Sequence, residues 1–177
     1  MPDPILPGRA GLYLSMLQYG LACNADFAAE HWAFFERLRA YCGDPAGLRV
    51  LDVGCGKSYW LTLLLASAGA RATGVDTEVV APGATAAKYL AIARRNGPER
   101  ALRTLVWELL FARPYYRELA RLAPFPLAFG AVDVQPIDGR RLDFPDATFD
   151  LAVSHEVLEH VADLPALAAE LARVLKP

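Results

Sequence analysis

The feature that most limits the fold is a single stretch, Leu48-Arg49-Val50-Leu51-Asp52-Val53-Gly54-Cys55-Gly56, in which an aliphatic run stops at two glycines. Such a run reads as a short buried strand, and the helical composition of residues 59–68 behind it makes the connection a tight turn. Gly69 ends that helix, residues 70–75 supply a second strand of small residues, and Asp76 stands where the strand should stop. Two strands joined by one crossover helix form a βαβ unit, with a mainly parallel sheet and helices on its faces.

The rest of the chain extends this alternation. A short helix is expected within residues 12–19, and a longer one over 27–41, with Asp26 as its N-cap and Gly43 as its stop. Residues 77–137 carry helical stretches at 84–95 and 99–122, broken by Asn96-Gly97-Pro98 and by Pro114. Strands follow at 131–137 and 149–153, and Asp163-Leu164-Pro165 opens a helix that runs to Leu175. The expected architecture is α/β: an N-terminal helical segment at 1–47, then a Rossmann-like, mainly parallel sheet sandwiched by helices at 48–177. A helical insertion at 77–130 separates the second and third strands. About 60 residues is long for one crossover, so the insertion is expected to lid the ligand cleft at the carboxyl ends of the strands.

Four residues in and around that first turn carry chemistry. Gly54 and Gly56 remove side chains where a ligand must approach the backbone. Asp52, just before the turn, can accept a hydrogen bond from a ligand ammonium group. Asp76, 22 positions beyond Gly54, ends the second strand as a carboxylate suited to a ribose diol.

Taken in order, the segments 50–56, 74–76, 138–150 and 156–160 resemble the class I S-adenosylmethionine-dependent methyltransferases, particularly their broad small-molecule branch. The likeness covers 48–76 and 138–177 and leaves 1–47 and 77–137 unexplained. Where the family usually has its third glycine, this chain has Ser58, preceded by Lys57. The resemblance implies that Gly54, Cys55 and Gly56 pass under the methionine moiety and that Asp52 orients its amino-acid end. It further implies that Asp76 with Thr77 holds the ribose and that Asp138 with Gly139 meets the adenine. The activity implied is methyl transfer from S-adenosylmethionine to a small-molecule, sugar or lipid acceptor. For an oxygen acceptor His155 is the candidate base, since it lies just past the fourth strand and imidazole titrates near neutral pH. The family sheet has seven strands, and four can be placed before Pro177; the sheet is therefore expected to be incomplete and the isolated chain prone to association and weak in catalysis.

Other readings fare differently. Gly56-Lys57-Ser58 lacks the earlier glycine of a phosphate loop, because that position is Leu51. A GxGxxG dinucleotide turn would end in glycine, and Tyr59 stands there. His155 and His160 are five residues apart, about 140° around a helix, not the four of a zinc protease. Glu156, Glu159 and His160 would share a helical face, a pattern tied to a divalent metal in some quinone methyltransferases, but Glu159 is read as favouring a helix's positive end and no metal is assigned. Arg113, Arg117 and Arg121 recur every four residues and are read as a solvated stripe opposite a buried one of Leu109, Leu110, Leu119 and Leu122, with an anionic substrate or lipid headgroup as the second possibility. A nicotinamide-dependent oxidoreductase and a non-catalytic cofactor-binding domain stay open as functions of other classes.

Charge and cysteines narrow the partners. A formal net charge of -2 gives no basic footprint for nucleic acid. Three cysteines without a CxxC spacing suggest neither a disulfide framework nor a zinc cluster. No apolar run approaches the roughly 20 residues of a membrane span, so a cytoplasmic protein is expected.

Overall fold

The computed structural model describes residues 14, 23–78, 80–83, 85–139 and 141–177. The helix expected within 12–19 lies outside them, apart from Leu14. Helix α1 (Asn24–Cys42) leads into strand β1 (Arg49–Val53), α2 (Trp60–Ser67) and β2 (Arg71–Asp76). The insertion follows as α3 (Ala86–Asn96), α4 (Pro98–Trp107), a π turn (Glu108–Ala112) and α5 (Arg113–Leu122). Strands β3 (Asp133–Pro136) and β4 (Leu151–Ser154) and helix α6 (Leu164–Val174) complete the described chain. All strand pairs are parallel, in the order β3-β2-β1-β4. This is the mainly parallel, helix-flanked sheet that the alternation of strands and helices predicts.

Period-two alternation decides which helix covers which face. Val50, Ala72 and Val153 turn to one side and pack with Phe35 of α1, Leu61, Leu64 and Leu65 of α2 and Leu119 of α5. Leu51, Val53 and Val75 turn to the other and pack with Leu167 and Val174 of α6. β1 is central, and every residue after Arg49 is buried.

Asp52 sits on the α2 side. It is 2% exposed, and its Oδ2 accepts from the Thr62 backbone N–H at 3.0 Å and from the Thr62 hydroxyl at 2.6 Å. The carboxylate thus ties the first turn of α2 to the strand. Gly74 lies beside the same pair: a Cβ there would stand 2.5 Å from Thr62 Oγ1 and 3.0 Å from Cys55 Sγ. Glycine at 74 lets helix and sheet approach.

Two local expectations differ. Asp26 falls in the first turn of α1 instead of capping it. Pro114 does not break the 98–122 segment. Its missing N–H and its ring are accommodated by the wider π turn just before it, and Pro114 then occupies the first turn of α5. On the α6 side, Arg173 binds the Leu142 and Phe144 carbonyls, Asp146 and Glu170, which holds the 142–146 loop to the helix.

Among the described residues no helix is long and apolar enough to cross a membrane, and Cys23, Cys42 and Cys55 are all unpaired.

Two outcomes test this packing. Gly74→Ala should destabilise the fold by about 1–3 kcal/mol through overpacking, measured by urea unfolding; an unchanged midpoint would contradict the close approach. Burial raises the Asp52 carboxyl from its ordinary 3.8 to about 6. The folded state therefore favours the protonated form, and the stability this contributes is present at low pH and lost as pH rises from about 4 to about 6. Asp52→Asn keeps an acceptor for Thr62 and lacks the titration, so its stability relative to the parent should rise across that window; parallel profiles would show that Asp52 does not titrate there.

Candidate functional site

The turn after β1 is set by three backbone donors. The N–H groups of Gly54 and Cys55 both bond the Val75 carbonyl, at 2.8 and 3.1 Å, and the Gly56 N–H donates to Asp76 Oδ2 at 2.9 Å. Gly54 and Gly56 have φ of +78° and +62°, the left-handed region that glycine enters without strain. Asp76 Oδ1 accepts from the Glu78 N–H at 2.8 Å. Each carboxylate oxygen keeps a lone pair for a further donor.

This turn forms one end of a cavity of ≈ 470 Å³ that runs along the carboxyl ends of the strands. Gly54 and Gly56 line it after β1, Asp76 and Thr77 at β2, Ile137 and Gly139 after β3, and Glu156 and Val157 after β4. A Cβ on Gly56 would meet nothing within 4 Å, whereas one on Gly54 would strike Val157 Cγ2 at 2.3 Å. Gly54 is therefore required by a neighbouring side chain as well as by its dihedral, and Gly56 opens onto free space. A small-molecule site typically holds about 300–1,000 Å³, so the cavity can take an elongated ligand of nucleoside size. Its order of groups suits S-adenosylmethionine: open backbone at the glycine turn, a carboxylate with acceptor capacity at Asp76, and the narrow Gly139 bend, where a Cβ would lie 3.1 Å from Thr77 Cγ2.

Gly54, Gly56, Asp76, Thr77 and Gly139 are thus brought together. Four other residues named from the sequence are not. Asp52 faces Thr62 and does not line the cavity. The Cys55 side chain is buried among Tyr59, Leu63 and Val80, so only its backbone belongs to the turn, and burial pushes its thiol pKa well up. Asp138 is exposed outside the cavity lining, where its Oδ1 accepts from the Arg141 N–H. His155, the candidate base, packs edge-on against Trp60, Phe34 and His31 and does not reach the lining.

Other residues do reach it. His160 and Glu156 line the cavity, as do Val161 and Leu167 of the apolar wall. Glu156 has φ +54° and precedes a short turn at Leu158–His160, so the shared helical face of Glu156, Glu159 and His160 does not form. From the insertion, Arg100 of α4 lines the cavity and pairs with Glu78 at its mouth. The insertion is therefore docked on the cavity side, and the Tyr116 hydroxyl fastens it to the glycine turn by donating to the Ser58 carbonyl at 2.8 Å. Lys57 lies 5.7 Å from the Trp107 ring centroid, and burial with the nearby Arg100 charge lowers its pKa.

Beside this site α1, α2 and α5 enclose an aromatic cluster. His31 stacks on Trp60 at 4.1 Å, and its Nδ1 lies 2.6 Å from the Tyr115 hydroxyl. Burial, assisted by His155, lowers His31 to about 4, which keeps it neutral at physiological pH.

Comparison with known proteins agrees with this fold. The methyltransferase domain family model matches residues 26–177. A protein of Mycolicibacterium smegmatis named as an S-adenosylmethionine-dependent methyltransferase is 27% identical over 176 residues, 99% of this chain and 51% of that protein. The chain thus spans about half the length of this curated relative. In fold it is similar to an S-adenosyl-L-methionine-dependent methyltransferase from Methanococcus maripaludis, with a TM-score of 0.53 at 16% identity over 99% of this chain and 63% of that one. It is also similar to a structure of the Haloferax volcanii Trm112 methyltransferase activator in complex with a methyltransferase, with a TM-score of 0.51 at 22% identity over 89% of this chain and 53% of that one. The chain belongs to the class I S-adenosylmethionine-dependent methyltransferases.

Proposed function

We propose that this chain binds S-adenosylmethionine along the strand ends and directs its methyl group to a small-molecule, sugar or lipid acceptor. The observation that carries the reading is the cavity itself, which joins Gly54, Gly56, Asp76, Thr77 and Gly139 in one continuous lining. In the bound state the cofactor supplies an electrophilic methyl carried on sulfur. Asp76 accepts from the ribose hydroxyls while it holds the Gly56 N–H, so turn geometry and cofactor position are linked. Val157, Val161 and Leu167 form an apolar wall that keeps water from the reacting end.

His155, which lies outside the cavity lining beside Trp60, stays in the proposal as a base for an oxygen acceptor that extends to that aromatic cluster, and His160 is the imidazole that lines the cavity itself. A nicotinamide ligand is disfavoured by Tyr59. That side chain fills the position of the last glycine of a dinucleotide turn, is 6% exposed and packs beside Tyr116. A non-catalytic cofactor-binding role predicts binding without turnover. Three unpaired cysteines suit a reducing, cytoplasmic compartment, and the net charge of -2 argues against a nucleic-acid acceptor.

Isothermal calorimetry with S-adenosylhomocysteine tests the site. Asp76→Ala should weaken binding by about 1–3 kcal/mol, the cost of unpaired ligand hydroxyls, and Asp76→Asn, which keeps one acceptor, should lose less; equal affinity in all three would remove Asp76 from the site. Gly54→Val should abolish binding, because the new side chain collides with Val157 and resists a positive φ. A folded Gly54→Val variant with parental affinity would place the cofactor elsewhere. Transfer of label from methyl-labelled S-adenosylmethionine into a metabolite pool then separates enzyme from binding domain.

A further inference from the structure

The helical rod of α4, the π turn and α5 buries only one of its seams. Thr104, Ala112, Tyr115 and Leu119 are buried. The opposite seam carries Leu102, Val106, Leu109 and Leu110 into solvent, with Leu102 60% and Leu109 67% exposed. Arg103, Arg113, Arg117 and Arg121 are exposed at matching helical positions. From Leu102 to Arg121 this face is roughly 30 Å long at 1.5 Å per residue. Its two halves differ: the first is mainly apolar and the second cationic. Among its acidic neighbours, Glu99 pairs with Arg103 and Glu118 with Arg121. Four arginines against two glutamates leave +2 on this face, while the whole chain carries -2. Arg113 has no acidic partner among the described residues, and Arg117 approaches Glu118 only to 3.8 Å.

We infer that this face docks on the surface of an anionic phospholipid bilayer. Leu102, Val106, Leu109 and Leu110 supply apolar side chains to enter the headgroup boundary, and the arginine half meets lipid phosphates by charge-assisted hydrogen bonds. A second copy of the chain is a poorer occupant, because pairing this face with itself sets arginines against arginines or against leucines. Arg100, which α4 carries to the cavity, is about 200° around the helix from Leu102, so the docking face and the cavity lie on opposite sides of α4. The inference goes beyond methyl transfer and does not depend on it.

Co-sedimentation of the chain with phosphatidylcholine vesicles, with and without phosphatidylglycerol, tests it in the absence of any cofactor. The expected result is binding to phosphatidylglycerol-containing vesicles only, weakened by added salt. Arg113→Gln and Arg117→Gln should each lower the affinity about fivefold, the factor that corresponds to about 1 kcal/mol per surface arginine. Leu102→Ser and Leu109→Ser should also reduce binding while leaving the circular dichroism spectrum and melting unchanged, because neither side chain is packed. Equal binding to both kinds of vesicle, or variants that bind as the parent does, would overturn the inference. So would a parent dimer in size-exclusion chromatography that Leu109→Ser dissociates, which would assign the face to a second copy.

Discussion

The Val75 carbonyl receives two backbone N–H groups, from Gly54 and Cys55, and the next N–H, from Gly56, goes to Asp76. Through these three bonds β2 sets the path of the chain as it leaves β1. The turn can follow that path only because positions 54 and 56 hold glycine at positive φ. Val157, arriving from β4, then closes on Gly54 with no room for a Cβ. Three strand ends are thus interlocked at one point, and the cavity is the space left beside it. Asp76 serves both sides of this arrangement. It holds the Gly56 N–H through one lone pair of Oδ2 and the Glu78 N–H through one of Oδ1, and a lone pair left on each oxygen keeps the same carboxylate available to a ligand.

The βαβ core was legible because its signals are local: an aliphatic run, a glycine pair, a glycine stop and a strand-end aspartate fall in consecutive order. Side-chain direction was harder to read. Asp52 adjoins the ligand turn in sequence, and proximity suggested that it faces the ligand. Strand alternation argues otherwise, since Asp52 shares a face with Val50 and both point toward α2. Cys55 lies inside the turn by sequence and inside the core by side chain. His155 follows β4 as expected, yet the rings of α1 and α2 hold it beside Trp60, and the left-handed bend at Glu156 gives the cavity His160 in its place. Arg100 carried no local signal at all. It reaches the cavity from an insertion whose docking depends on contacts distant in sequence, such as Tyr116 with Ser58.

The insertion shows how residue type can override spacing. The apolar character of Leu109 and Leu110 suggests a buried stripe with the arginines opposite it. Yet Leu109 precedes Arg113 by four residues and Leu110 precedes it by three, which puts all three on one helical face. Both leucines are exposed there, and of the four named leucines only Leu119, two residues beyond Arg117, is buried. The π turn preserves this alignment across Pro114, where a regular helix would have met the ring of the proline.

An exposed leucine face is tolerable in a folded domain only if the opposite seam fixes the rod firmly. Tyr115 and Leu119 are buried against α1 and α2, and Tyr115 contacts His31, which is itself stacked on Trp60. Tyr116 bonds Ser58, and Trp107 faces Lys57, both immediately past the glycine turn. The buried seam therefore attaches to the two residues that follow Gly56. The same seam also rests on the sheet itself, where Tyr115 and Leu119 pack with Val50, Ala72 and Val153, so the rod is fixed both to the strands and to the residues that leave the glycine turn. The segment that the sequence motifs leave unexplained is thus joined directly to the residues that follow the glycine turn.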